Sequence, residues 1–322
     1  FNNRLRITTD YYKKKTTDLL YSVAVPATSG YQTMLKNIGS IENQGYELSI
    51  ESDNLTGAFS WTTAFNIAFN RNKVLELGGE EYKEMAEGDG HLKTGSVRRL
   101  IVGEPIGVFY GYRFDGIFQN EEECKQQTSS ASPIGVGLRR YKDLNGDGKV
   151  DAANDREILG DANPKFFGGL TNTFAYKGFE LNVFLQYSYG NKILNYNAME
   201  LENPTGGQNA YADMVNRWTP ENPSNIYPKA TTNRALLVSD RFIEDGSYLK
   251  LKTLSLSYSF PKINLKHIQG LRLYVTGQNL LTWTKYRGYD PEVSYRGAST
   301  LEAGEDFGGC LLYTSPSPRD KR

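Results

Sequence analysis

The sequence has little with which to cross-link, coordinate or catalyse. Its 322 residues include two cysteines, Cys124 and Cys310, too few for a disulfide framework and without the spacing of a metal site. The two histidines, His91 and His267, lie far apart in loop-like sequence, which argues against a metal centre built on them. No run approaches the roughly 18 apolar residues of a membrane-crossing helix, and mean hydropathy is -0.54. That excludes helical spans but not a transmembrane β-barrel, whose strands are apolar on one face only. Net charge is missing too: 37 Lys+Arg balance 37 Asp+Glu, so no electrostatic case exists for a nucleic-acid partner. There is no P-loop, no nucleophile elbow and no nucleophile–base pair, so the chain does not read as an enzyme. No signal peptide precedes the strand-like start at Phe1, and the chain reads as cut from something longer.

What is abundant is strand and turn chemistry: 22 Tyr, 15 Phe and 32 Gly. The clearest stretch is Phe166 to Tyr189. Phe179, Leu181, Val183, Leu185, Tyr187 and Tyr189 alternate with Glu180, Asn182, Phe184, Gln186 and Ser188. Strand side chains alternate faces, so one side is an apolar ribbon and the other mostly polar. Leu170, Phe174 and Tyr176 repeat the pattern before Lys177-Gly178, which predicts a tight antiparallel hairpin. Each arm has about 10 residues, enough to cross a bilayer when tilted. A one-sided soluble sheet gives the same alternation.

Further strands are predicted at Leu5 to Tyr11, Tyr46 to Glu51, Phe59 to Asn70, Tyr248 to Phe260 and Leu271 to Trp283. In Tyr248 to Phe260 the apolar parity slips between Leu251 and Leu254, as a bulge would require. Leu19 to Ser40, with Pro26, Ser29-Gly30 and Gly39, reads as a long loop, and Asn191 to Asp245 as a long polar one. Short links alternate with long ones, the arrangement of barrels with short inner turns and long outer loops. Alternation holds if 72–163 is one extracellular excursion carrying its own strand, Ile106 to Phe118. Seven segments then span, and an eighth is expected after Phe307. Instead Cys310 to Arg322 has no alternation and carries Pro316 and Pro318. This tail, 310–322, reads as non-native sequence, with a disordered native tail as the alternative.

Specific motifs cluster near the end: Gly277-Gln278-Asn279-Leu280 and Tyr289-Asp290-Pro291-Glu292. With Asp10-Tyr11-Tyr12, Gly39 to Gly45, Gly111 to Phe118, Arg217 to Pro223 and Arg241 to Ser247, they resemble the C-terminal barrel of SusC/RagA-type TonB-linked outer-membrane transporters. The resemblance covers roughly Asn2 to Gly308 and departs at the tail. It implies an all-β fold: an antiparallel transmembrane β-barrel segment over 1–309, a partial open arc of a barrel of about 22 strands, with long extracellular loops. It further implies a bacterial outer-membrane location, an N-terminal plug and a TonB-contacting part upstream of this chain. A SusD-like surface lipoprotein and an oligosaccharide or peptide substrate complete the implied partners. The alternative is a soluble or cell-surface β-domain with a calcium loop that binds carbohydrate.

That loop is the sharpest chemical constellation. Asp143, Asn145, Asp147, Lys149 and Asp151 match positions 1, 3, 5, 7 and 9 of a calcium loop, with Gly148 at the turning position. Position 12 is Asn154, and Asp155 stands one residue late. Two Asx-Gly turns, Asn145-Gly146 and Asp147-Gly148, explain the same residues without Ca2+. Glu80, Glu81, Glu84 and Glu87, like Glu121 to Glu123, read as solvated acidic faces. Tyr110, Tyr187, Tyr189, Tyr258, Trp283 and Tyr286 sit near predicted strand ends, where interfacial aromatic girdles form, though cross-strand packing would also place them there. Trp218 and Tyr227 read as loop-packing aromatics, with stacking on sugar rings as the alternative.

Overall fold

The computed structural model describes residues 4–24, 33–85, 95–203, 209–232, 236–260, 270–293 and 301–307. Seven long strands form one antiparallel sheet in chain order: β1 Leu5–Ala24, β2 Thr33–Leu55, β3 Phe59–Leu77, β4 Phe166–Tyr176, β5 Phe179–Tyr189, β6 Tyr248–Phe260 and β7 Leu271–Thr284. Among the described residues β1 and β7 each have one neighbour, so the sheet is an arc with two edges.

The register makes the alternation two-dimensional. Residues paired across strands share a face. Ile7↔Ile50 and Ile50↔Phe65 continue through Phe65↔Leu170, Leu170↔Leu185, Leu185↔Leu251 and Leu251↔Leu281, so all seven strands turn one apolar row outward. The outward ribbon from Phe179 to Tyr189 spans about 34 Å along the strand, or roughly 24 Å at a tilt of about 45°, the height of an apolar barrel band. Aromatic rows bound it. Phe59, Tyr176, Phe179 and Tyr258 are paired in line at the short-turn end. Tyr11, Tyr46, Phe69, Phe166 and Tyr189 line the other, with Phe69 and Phe166 joined by ring contact at 5.8 Å.

Two predicted girdle members are corrected. Tyr110 lies outside the large sheet, under the Arg99 guanidinium at 3.9 Å, and Tyr286 is a buried loop residue. Asn172 is a polar side chain within the outward band. Its Oδ1 accepts from the Trp61 indole N–H at 2.9 Å and the Thr63 hydroxyl at 2.7 Å, so it is not presented bare to hydrocarbon.

Local chemistry explains the turns and irregularities. Tyr176 pairs with Phe179 across Lys177 (φ 45°) and Gly178 (φ 87°), and positive φ at both central residues is what a two-residue type I′ hairpin needs. The parity slip is a bulge at Lys252: Phe184 faces Thr253 while Leu185 faces Leu251. One extra residue lets both Leu249/Leu251 and Leu254/Leu256 point outward. At Gly168 the Tyr187 hydroxyl crosses the strand and donates to the Asn66 carbonyl at 2.8 Å, where a Cβ would collide.

The loop predicted for 19–40 is wrong in large part. β1 runs to Ala24 and β2 starts at Thr33, with pairs from Leu20↔Asn37 to Ala24↔Thr33 after a bulge near Asp18. The Gly39 signal suggested a break, but hydrogen bonding to the neighbouring strand overrides local preference there, while Pro26 and Ser29-Gly30 lie outside the described residues. The elements between β3 and β4 stand outside the seven-stranded sheet. Ile106 to Phe118 holds two strands, Val108–Tyr112 and Phe114–Ile117, each paired within small separate sheets. The predicted tail 310–322 and eighth strand lie outside the described residues.

Nor is Asn191 to Asp245 a merely polar loop. It supplies Leu194, Tyr196, Ala198, Met199, Leu236, Val238 and Phe242 to a core with Val97 and Phe109. The aromatic and aliphatic residues needed for that core are scattered among Asn, Asp and Gly without a period, so no pattern betrays it.

Candidate functional site

The concave candidate is the other face of the arc. Its residues are those paired opposite the apolar rows, such as Thr62, Asn66, Thr173, Asn182, Gln186 and Thr276. They bond along the face: Asn182 donates to Thr173 at 2.9 Å, and Ser255 and Thr276 share a 2.7 Å contact. Exposed ion pairs Arg6–Glu51 (3.2 Å) and Arg272–Glu180 (2.7 Å) mark its short-turn end. Such pairs contribute about 0–1 kcal/mol each, so they shape the local potential more than the stability. The chemistry available on this wall is hydration and hydrogen bonding.

At the long-connection end, the segment after β7 folds back onto this wall. Lys250, on β6 and 1% exposed, places Nζ 2.6 Å from Asp290 Oδ1 and 2.6 Å from Glu292 Oε2. Lys252, freed by its bulge, reaches the same Glu292 oxygen at 2.8 Å. Gln186 and the Tyr248 hydroxyl both donate to Glu292 Oε1 at 3.0 Å. Burial pushes the Glu292 carboxyl up, but hydrogen bonds from the two ammonium groups outweigh it and hold the pKa down at about 2. Sequence reasoning singled out Asp290-Pro291-Glu292 as a motif without a role. The missing signal was a lysine at an inward strand position, which demands a carboxylate partner when buried.

Above the sheet, buried charges join distant connections. Arg98 pairs with Glu305 at 2.8 Å, both side chains 3% exposed or less, while its guanidinium lies 4.2 Å from the Phe109 ring centre. Glu202, 1% exposed, binds Arg241 at 2.6 Å and Arg287 at 2.8 Å. Tyr286 donates to Asp306, and burial together with that carboxylate pushes its hydroxyl pKa well up. The result is a tied set of loops instead of independent ones.

The Asp143–Asp155 loop is described in full. The Asp143 carboxylate accepts from the Gly146 and Gly148 amides at 2.7 and 2.6 Å, and Asp147 from Lys149 N at 2.8 Å. Asp155, buried, takes Leu144 N at 2.8 Å and Asp151 N at 2.7 Å, closing the loop. Asn145 donates to Asp147 at 3.0 Å, and Asp151 caps the Ala153 and Asn154 amides. Gly146 (φ 76°) and Gly148 (φ 80°) make both Asx-Gly turns. Among the described residues no cluster of three or more His, Cys, Asp or Glu side chains converges on a metal position.

Pairing and packing give the acidic stretches and the loop aromatics their places. Glu84 is exposed and also paired: burial raises its pKa, but Arg99 and Arg156, the latter at 2.7 Å, bring it below the usual range. Glu121 to Glu123 open a short helix, Glu121–Gln126, capped by Asn120, and Glu123 pairs with Arg140 at 3.4 Å. Trp218 donates to Gln119 at 3.1 Å, and Tyr227 lies 5.2 Å from the Arg241 guanidinium, both loop-packing roles. Glu87, His91 and His267 lie outside the described residues.

No family model matches the chain. A TonB-dependent receptor of Formosa agariphila is 40% identical over 96% of this chain and 31% of its own length. The TonB-dependent receptor SusC of Bacteroides thetaiotaomicron is 29% identical over 91% of this chain and 28% of its own length. In structure the chain is similar to the RagAB peptide transporter, with a TM-score of 0.73 at 25% identity over 95% of this chain and 32% of that one. The chain thus spans about a third of the length of the relatives it matches.

Proposed function

We propose that the chain is a segment of a SusC- and RagA-like TonB-dependent receptor and forms the C-terminal barrel part of an outer-membrane nutrient importer, a reading that its likeness to such receptors supports. The observation that carries this is the register: one apolar row runs unbroken across seven strands inside a band bounded by aromatic rows, and the reverse face is polar. A soluble β-domain has no use for outward rows of Tyr and Phe at two fixed heights. In this reading the short turns face the periplasm, and the tied loops around Glu202 and Arg98 form the extracellular rim. The imported molecule is an oligosaccharide or a peptide, as in the RagAB peptide importer. The rim meets a SusD-like lipoprotein, and TonB engages a part of the parent protein outside this chain.

Fractionation of cells making the parent protein tests this. It is expected in the outer-membrane fraction, detergent-extractable and heat-modifiable, and its deletion is expected to abolish growth on one class of oligosaccharide or peptide. Recovery in the soluble fraction would overturn the reading.

A calcium ion at Asp143, Asn145, Asp147, Lys149, Asp151 and Asp155 belongs to this proposal as an ordering device for the connection between β3, which runs on to Leu77, and β4. The two positive-φ glycines and the closed backbone support it, although Asp143 and Asp155 already satisfy amides. Isothermal titration of the parent is expected to show binding in the millimolar range typical of extracellular sites, lost on Asp143→Ala with Asp147→Ala. No heat at millimolar calcium would leave the loop a hydrogen-bonded turn.

A further inference from the structure

Immediately beyond the long-connection aromatic row, β1 to β3 turn a cluster of cations outward. Tyr11, Tyr46 and Phe69 are in line across the three strands, and the next outward positions are Lys13↔Gln44 and Gln44↔Arg71. One step further come Lys15↔Glu42 and Glu42↔Lys73. Two residues along a strand advance roughly 7 Å, and β1 to β3 are about 10 Å apart, so the four cations occupy a patch the size of one lipid headgroup. Lys13, Lys15, Arg71 and Lys73 are exposed. Glu42 pairs with Lys13 at 3.1 Å, and among the described residues no carboxylate makes an ion pair with Lys15, Arg71 or Lys73. Lys165 and Asp161 line the adjoining hollow with Arg71 and Lys73.

The clustering is specific in face and in height. The inward positions at the same level include Tyr12, Lys14, Asn43, Gly45 and Asn72, with a single cation. At the short-turn aromatic row the outward residues Leu5, Phe59, Tyr176, Phe179 and Tyr258 are uncharged, and the turn beside them places Lys177 over the Tyr176 ring, its Nζ 5.2 Å from the centre, with no second cation beside it on β4 or β5. A cation on a flexible stem just past an aromatic row is at the depth of headgroups, and phosphate is the group that several clustered cations recognise.

We propose that the outward face of Lys13, Lys15, Arg71 and Lys73 binds a phosphate-bearing lipid headgroup of the outer leaflet. This rests on the membrane reading above. An acidic protein partner is disfavoured, because the cluster starts within two residues of the aromatic row, where lipid surrounds the barrel.

The test uses the full parent protein in mild detergent, with lipid retention read by native mass spectrometry. Lipid A bearing two phosphates, its dephosphorylated form and inorganic phosphate are the probes. The expected result is at least ten-fold tighter binding of the phosphorylated lipid, lost in K13Q/K15Q/R71Q/K73Q and kept in the inward control K14Q. Inorganic phosphate at equal concentration is expected not to compete. Heat-modifiable migration confirms that each variant has folded. A folded, outer-membrane-inserted quadruple variant that holds the lipid as the parent does would overturn the inference while leaving the importer reading intact. Equal binding of the dephosphorylated lipid, equal loss in K14Q, displacement by free phosphate, or loss only of a co-purifying protein would each overturn it as well. A parent found in the soluble fraction would instead remove the membrane reading itself.

Discussion

Val183→Arg in the assembled parent barrel is expected to cost about 2–4 kcal/mol, and Asn182→Arg far less. The two residues are adjacent on β5 and equally central, so they differ only in the face they occupy. Val183 pairs with Leu254 on the outward side, two positions from Leu181↔Leu256 and Leu185↔Leu251. A guanidinium there must enter hydrocarbon or drag headgroups and water inward. Asn182 sits opposite Thr173 and Ser255 on the hydrated wall, where a longer charged side chain extends into water. Equilibrium unfolding in lipid vesicles measures both costs, and equal values would sink the assignment of faces.

Lys250→Met is expected to cost about 3 kcal/mol, the low end for removing one partner of a buried ion pair. It leaves Asp290 and Glu292 against the wall, with Glu292 still held by Lys252. The same latch has an acid limit. The Glu292 pKa is depressed from 4.5 to about 2, so the carboxylate's contribution is fully present above about 4.5 and is lost as pH falls toward 2. Limited proteolysis of residues 285–293 in the parent should show protection at neutral pH that declines across that window. Lys250→Met should open the segment at neutral pH, and Glu292→Gln should flatten the pH response. Unchanged protection in Lys250→Met would show that the segment is held by something other than its charges.

What the sequence determined by itself is local and periodic. The parity of Phe179 to Tyr189 assigned its two faces, Lys177-Gly178 required a tight turn, and the slip at Leu251 to Leu254 marked the bulge at Lys252. These follow because a pleated strand alternates whatever its neighbours are. The tertiary structure decided what depends on distant partners. It extended β1 and β2 into residues that read as loop, since a neighbouring strand supplies the hydrogen bonds that the local residues do not demand. It buried Leu194, Tyr196 and Phe242 inside an outwardly polar connection. It brought Lys250 to Glu292, 42 residues apart in sequence, and Arg98 to Glu305, 207 apart. It also aligned Lys13 and Lys15 with Arg71 and Lys73, whose common face depends on the register of three strands. No spacing rule encodes such contacts, because they are fixed by where the sheet places each connection in space.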